Sequence, residues 1–462
     1  MERLKYLFKN TFLYSISTFS TKLISFLMVS FYTSVLNAEL YGQIDIIFTT
    51  INLLVPVVAL SIHNSIVRFA MDEDKNRSNI LLVGLSITAI GSLFVLVGSI
   101  ILNFFYDYSF LCGVLLVEQI FFLLFTEYVR GIGKNGLYVI CHISLIAITS
   151  ALNILFLGVL NLKVIGYLYA YLLSYVICCT LLIICINPVK VLKYTTQSKK
   201  KSDLHEMVKY SIYLIPNSVF WWITNSSDKY MILYLIGSMY NGIYSVSNKI
   251  PTIITNVFYI FNQAWQLSAI KENGSKDEEK FVNEIFNALF ITMSVVVSGI
   301  LLIIKPFMSI YVSEQYYVAW QSSSILTFTG MFNILASFVG TQYVVAKENK
   351  MNMYTTLLGT VVNIVLNAIL IPFFQLNGAA IATCISYIVV FIVRIFDTRK
   401  YLIIHIKPLH FFLSFALVIQ IIFLFVKGIT GMIGNGMILI LITILVSITS
   451  RGKLKKLFRR IF

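Results

Sequence analysis

Charge is scarce in this chain: Asp, Glu, Lys and Arg make up 12% of its 462 residues. Soluble globular domains carry about 25%, so a surface built to face water is excluded. Cysteine is equally unhelpful as a framework. Cys112, Cys141, Cys178, Cys179, Cys185 and Cys384 all fall inside apolar runs without a CxxC spacing, which excludes a disulfide scaffold and a cysteine metal site. Catalytic signatures are missing too: there is no GxSxG elbow, no GxxxxGK[ST] phosphate loop and no HExxH pair. With no nucleotide-binding motif on the chain, ATP-driven transport would require a partner. No polar stretch is long enough to fold as a separate soluble domain, so the function resides in a membrane.

What is abundant is apolar: 58% of residues are hydrophobic and the mean hydropathy is +0.86. A spanning helix needs about 20 predominantly apolar residues. Fourteen runs qualify, near 11–36, 42–69, 80–104, 109–129, 137–160, 164–187, 206–236, 242–269, 281–305, 317–346, 353–374, 376–396, 408–427 and 432–450. The first is expected to be a retained helix, because no small-residue cleavage pattern follows a short core. Basic residues test the count, since cytoplasmic loops collect Lys and Arg. With the N-terminus inside, 28 of the 35 Lys/Arg fall in cytoplasmic segments, three (Lys163, Lys305, Lys427) lie outside, and Lys22, Arg68, Lys229 and Lys249 lie within or at the ends of helices. Both termini are therefore expected to be cytoplasmic. The net charge of +15 is topological, and a nucleic-acid partner is not implied.

The expected fold is an all-α polytopic membrane protein of about fourteen transmembrane helices: two pseudo-symmetric six-helix lobes plus two C-terminal helices. The lobes cover 1–190 and 206–400, a basic cytoplasmic linker at 191–205 joins them, and 401–462 supplies the last two helices and a basic tail. An internal repeat supports this division. Residues 35–46, VLNAELYGQIDI, place Tyr41-Gly42 where the later SDKYMILYLIGSMYNGIYSVSNKIP, residues 227–251, places Asn241-Gly242. Gly166 with Ser174-Tyr175 matches Gly378 with Ser386-Tyr387, and Asn153-Ile154 matches Asn363-Ile364. Such repeats are a habit of secondary transporters, whose substrate site lies between the lobes near the midplane.

Polar residues inside the runs carry the functional reading. Asp45, Thr49, Asn52, Pro56 and His63 share one face of the second helix at 100° per residue, and Ser245, Lys249, Thr252, Asn256 and Gln263 form the equivalent stripe on the eighth. Asn248 widens the latter, and Asn217, Trp221, Thr224 and Asp228 add a stripe on the seventh. Helix one contributes Ser15, Thr18, Lys22 and Ser25. Singly, a Ser, Thr or Asn in a membrane helix often only bonds a neighbour. A charge near the middle of a spanning helix costs about 2.5–3.5 kcal/mol on insertion scales, so Lys22 and Lys249 are read as facing a polar cavity and attracting an anion. Arg68 reads equally as a cavity cation or a topology determinant. Asp228 and Lys229 read as a structural ion pair or, with Asp45, as gating residues. Glu118 reads as a proton-coupling carboxylate or as a partner for a lysine. His63 and His142 read as packing residues before relays.

The LNAELYGQIDI turn, the Ser-Asp-Lys-Tyr followed by GSMYNGIYSVSNKI, and the NGAAIATCISY stretch from Asn377 resemble the Wzx-type polysaccharide flippases of the MOP exporter superfamily. That superfamily also holds the MATE drug exporters and the lipid II flippases, and the resemblance runs over most of residues 10–400. It implies a V-shaped pair of six-helix bundles moving a polyprenyl-diphosphate-linked oligosaccharide from the cytoplasmic to the outer leaflet of a bacterial cytoplasmic membrane, without a cofactor. Further partners implied are membrane lipids, a proton or sodium gradient and other polysaccharide-assembly proteins. Family cavities carry cations on helices one, two and eight, the helices that here carry Lys22, Arg68 and Lys249; lysine stands where arginine is common. A MATE-like ion-coupled exporter of drugs or cations is the alternative and would favour an acidic cavity. A membrane-embedded glycan polymerase or scaffold would need a large outer loop that the chain lacks.

Overall fold

The computed structural model describes the backbone of residues 2–72, 74–195 and 197–450, and their side chains except at 2–16, 197–201, Asn217, Trp221, Asn349 and 448–450. The basic tail expected at 451–462, Ser15 on helix one, Asn217 and Trp221 on the seventh-helix stripe, and three lysines of the linker fall outside these described residues. Among the described residues every regular element is helical. The helices are α1 (Glu2–Val35), α2 (Ala38–Val58), α3 (Ile62–Ala70), α4 (Arg77–Leu102), α5 (Ser109–Gly131), α6 (Asn135–Asn153), α7 (Lys163–Ile186), α8 (Pro188–Leu192) and α9 (Gln197–Ile212). They continue with α10 (Leu214–Ile236), α11 (Ser238–Ser247), α12 (Lys249–Glu272), α13 (Glu278–Tyr311), α14 (Ala319–Val345), α15 (Asn349–Asp397), α16 (Pro408–Phe425) and α17 (Ile429–Ser450). Ten segments of the described residues are long and apolar enough to cross a bilayer, and one of them, Lys350–Lys400, holds two legs joined at Gln375. The runs expected at 11–36, 206–236 and 242–269 are not among the ten; the last two are broken helices rich in polar residues.

The chain forms two compact units, Met1–Ser227 and Asp228–Phe462, with the division inside α10, beyond the linker 191–205. Each unit contains one copy of the repeat. Asn37 caps α2, its Oδ1 accepting from the Leu40 amide at 2.8 Å, and α11 begins at the matching position after Gly237, whose φ of 103° suits glycine. Near the start of the sixth repeat helix the two glycines do the same job. A Cβ on Gly166 would lie 2.7 Å from the Leu162 Cβ, and one on Gly378 would lie 2.3 Å from the Leu370 carbonyl oxygen. Asn153 and Asn363 are both buried: the first donates to the Tyr32 hydroxyl at 3.1 Å, the second to Thr383 at 3.1 Å.

Several helices expected to be continuous are broken. Pro56 has no amide proton for the helix ladder, and its carbonyl instead accepts from the Ser61 amide at 2.8 Å. Leu60 and Ser61 then adopt left-handed φ values of 47° and 50°, which costs non-glycine residues about 1–2 kcal/mol each. The single face expected to run from Asp45 to His63 therefore ends at the break: His63 belongs to α3. In the second unit the stripe is likewise divided, with Ser245 on α11 and Lys249 opening α12 after a turn at Asn248.

The linker is not a free hinge. Its helix α9 docks on the end of the first unit that carries α3, where Ser65 Oγ donates to the Met207 carbonyl at 3.1 Å and Met207 is fully buried. Lys75 Nζ pairs with Asp203 at 3.0 Å and with Glu206 at 2.7 Å, and Asn79 Nδ2 donates to Asp203 at 3.2 Å. The two carboxylates hold the Lys75 pKa above its ordinary 10.5, and Lys75 together with Ser202 holds that of Glu206 below 4.5. The Lys75 contribution is thus complete below about pH 10.5 and lost only as pH rises past the raised value. The Glu206 contribution is complete above about pH 4.5 and lost as pH falls through the lowered one.

Two outcomes follow. At pH 7, Lys75→Ala leaves buried Asp203 with only its neutral partner, at a cost of about 1–3 kcal/mol; hydrogen exchange over α9, corrected for intrinsic rates, rises, and on the acid side wild-type α9 loosens when the pH is taken below 4.5. Gly378→Ala forces the two legs of α15 apart and lowers the thermal midpoint in detergent by the equivalent of about 1–3 kcal/mol.

Candidate substrate-binding stripes

In the first unit the polar residues singled out from the sequence fall on α1, α2, α3, α5 and α6. Thr18, Lys22 and Ser25 are exposed on α1, and Asn52 is exposed on α2 with Asp45 half-buried two turns before it. Thr49, between them, is buried: its hydroxyl donates to the Asp45 carbonyl at 2.6 Å and its own carbonyl accepts from the Trp222 indole at 2.8 Å. Asn52 Oδ1 accepts from Gln119 Nε2 of α5 at 3.2 Å. Arg68 lies past the break on α3, exposed, one turn after the Ser65 that holds α9, at the cytoplasmic end of the expected topology.

Glu118 is half-buried on α5, and among the described residues its carboxylate has no cationic partner. Glu127, on the same helix, pairs with Arg130 at 3.1 Å. The structure thus separates two carboxylates that look alike in sequence. His142 packs edge-on against Phe122 at 5.2 Å and lies 4.4 Å from the Tyr138 ring centroid, the contacts of a packing residue.

In the second unit, Lys249 is half-buried as the first residue of α12, directly after the turn. Asn248 Nδ2 donates to the Tyr244 carbonyl at 3.0 Å, and the Thr252 hydroxyl donates to the Asn248 carbonyl at 2.6 Å. Both side chains therefore seal the break, while Asn256 is half-buried and Thr252, Tyr259 and Gln263 are exposed along α12. Asp228 and Lys229 are half-buried neighbours on α10. Asp228 Oδ2 accepts from the Tyr244 hydroxyl at 2.7 Å and Oδ1 from the Lys229 amide at 3.0 Å, so this carboxylate is held by α11.

Sequence reasoning missed three side chains. Tyr244 is fully buried yet forms the partner of Asp228. Trp222 fixes the backbone of α2 at Thr49. Arg394, counted among cytoplasmic loop cations, is instead buried in α15, donating to Thr355 at 3.0 Å, the Ala336 carbonyl at 2.8 Å, Asn352 Oδ1 at 2.7 Å and Thr356 at 3.0 Å. The signal for it was available: Asn352, Thr355 and Thr356 share one helix face at spacings of three and four.

Helices long and apolar enough to thread a bilayer, in two repeated units with polar stripes on the first helices of each, define a polytopic membrane protein, and its fold is shared with proteins of known structure. The chain is similar in structure to the lipid II flippase MurJ in its inward closed conformation (TM-score 0.64, 15% identity, 96% of this chain and 99% of that one). It is also similar to a MATE transporter in complex with MaL6 (TM-score 0.60, 16% identity, 85% and 95%). Residues 7–266, more than half of the chain, match the family model described as polysaccharide biosynthesis protein, and the chain belongs to that family. Among curated proteins it is 24% identical over 203 residues to the probable low-salt glycan biosynthesis flippase Agl15 of Haloferax volcanii; the match spans 43% of each.

The Asp228 contact generates a prediction. Tyr244→Phe removes the hydroxyl and lowers the thermal midpoint by the equivalent of about 1–2 kcal/mol. Asp228→Asn, whose amide oxygen still accepts, lowers it less; the reverse order in a thermal-shift series contradicts a structural role for this carboxylate.

Proposed function

We propose that the protein flips polyprenyl-diphosphate-linked oligosaccharide from the cytoplasmic to the outer leaflet of a bacterial cytoplasmic membrane by alternating access, for cell-surface polysaccharide synthesis. The observation that carries this is the pattern of exposed or half-buried polar side chains, cations included, along α1, α2, α3 and α12 of a chain whose other long helices are apolar enough to sit in lipid. Such residues are costly against hydrocarbon, so they belong to water or to a polar ligand. A lipid-linked glycan supplies that ligand: the diphosphate meets cations, the sugars meet hydroxyls and amides, and the tail stays in the bilayer. Family membership and the MurJ-like and MATE-like fold support the same reading.

In this proposal Lys22, Arg68 and Lys249 attract the diphosphate, Arg68 at the cytoplasmic entrance, and Asn52 and Asn256 bond the glycan. Asn248 and Thr252 shape the break that presents Lys249. Glu118, without an ion partner among the described residues, is the carboxylate proposed to exchange protons with a gradient. Asp45, Asp228 and Lys229 are assigned to gating through the α2 and α10 contacts. A MATE-like exporter of cations is disfavoured by the lysines on the same stripes.

The test is reconstitution with a fluorescent polyprenyl-diphosphate oligosaccharide and an external quencher. Hydrogen bonds to charged groups contribute about 1.5–3 kcal/mol, so Lys22→Ala and Lys249→Ala each slow flipping by about tenfold or more. Persistence of full transport in both variants refutes the assignment, and export of a cationic dye in place of the lipid establishes the exporter instead.

A further inference from the structure

We propose that the first unit carries a sugar-stacking subsite: the ring faces of Phe48 and Tyr171, flanked by Asp45 and Asn52, take one pyranose of the lipid-linked glycan. It rests on the flippase reading and names what selects the cargo. Five aromatic rings gather where α1, α2 and α7 meet. Tyr32 lies 5.2 Å from Tyr167 and 6.3 Å from Tyr41, Phe48 lies 5.5 Å from Tyr167 and 4.4 Å from Tyr171, and Tyr167 stacks on Tyr171 at 5.1 Å. Core packing accounts for Tyr32, Tyr41 and Tyr167, which are buried. It does not account for Phe48 and Tyr171. Both keep part of their surface exposed, with planes inclined at 54°.

Two amides and a phenol beside these rings have open hydrogen-bonding groups. Phe48 stands on the α2 face between Asp45 and Asn52, at spacings of three and four. Asn52 accepts from Gln119, but among the described residues its own NH2 donates to nothing, and Gln119 Oε1 has no donor. Exchanging oxygen and nitrogen on both amides leaves the same inventory: one open carbonyl and one open NH2. The Tyr171 hydroxyl accepts from Tyr167 at 3.4 Å and among the described residues donates to none.

An acyl chain would cover the rings and leave these donors unmet, which is unfavourable in hydrocarbon. A bare anion would answer the donors and leave the ring faces idle. A pyranose does both, with a C–H face against the aromatic ring and hydroxyls toward amide, carboxylate and phenol.

The experiment compares two probes in proteoliposomes: a short-chain polyprenyl diphosphate, bare or carrying one N-acetylglucosamine. Aromatic contacts of this kind are worth about three- to tenfold in rate or affinity. In Phe48→Leu and Tyr171→Leu the ratio of sugar-bearing to bare lipid flipped falls by that factor, and Phe48→Trp, which keeps a ring, retains the wild-type ratio. A ratio unchanged in both leucine variants, through equal loss or none, overturns the subsite while leaving the flippase reading intact. A wild type that moves neither lipid overturns the flippase reading and the subsite with it.

Discussion

In the hydrocarbon of a bilayer a polar group has no water to bond, so it either finds a partner in the protein or faces a wet space. That constraint organises the structure. It forces every described regular element to be a helix, and it sorts the polar side chains into two populations. One is buried and bonded within the protein: Arg394 with its four neutral partners, the Asn367–Asn363–Thr383 chain, and the Ser298–Gln420–Asn435 cluster that fastens α16 and α17 to α13. The other is exposed along α1, α2 and α12. Buried groups hold helices together; the exposed ones keep a polar face open along α1, α2 and α12.

The repeat shows which features the architecture needs in both units and which belong to one alone. Gly166 and Gly378 serve the same close approach, and α2 and α11 begin at matching positions. The devices that break the second helix differ, however. In the first unit a proline and two left-handed residues break it well along its length; in the second the turn comes at Asn248, and its carbonyl is bonded by Thr252. The docked α9 has its charge network in the first unit only, through Lys75 and Asp203. Two copies of one plan have thus been given different breaks and different attachments.

Most of the helical plan was legible in the sequence because bilayer thickness and the Lys/Arg bias act on runs of about twenty residues, long enough to average out single exceptions. The breaks were not legible in the same way. Pro56 announced a disturbance, but nothing in Leu60-Ser61 signals a left-handed conformation, which tertiary packing imposes. Nor could spacing distinguish Glu118 from Glu127, or show that Asp228 is bonded by a tyrosine on the next helix. Arg394 was assigned to a loop because its position near a basic segment outweighs a single buried residue in any count by charge. Stripes of small polar residues were visible from their periodicity; whether each is saturated depends on neighbours far away in the chain.

The distribution of cation types is itself informative. Arg394 presents a planar fork of five donors and is locked by acceptors on α14 and α15, as suits a group whose position must not change. The deep cations on the proposed substrate stripes are lysines. A lysine ammonium attracts a phosphate as a point charge, without the bidentate geometry that an arginine imposes. For a carrier this difference matters more than affinity, since a diphosphate held too tightly would not leave on the far side. On the proposed reading, lysine at 22 and 249 favours turnover over retention, and selection among cargoes then falls to neutral contacts such as the Phe48 and Tyr171 rings. In that proposal charge brings every diphosphate lipid to the protein, and only the sugar-facing surface can tell one from another.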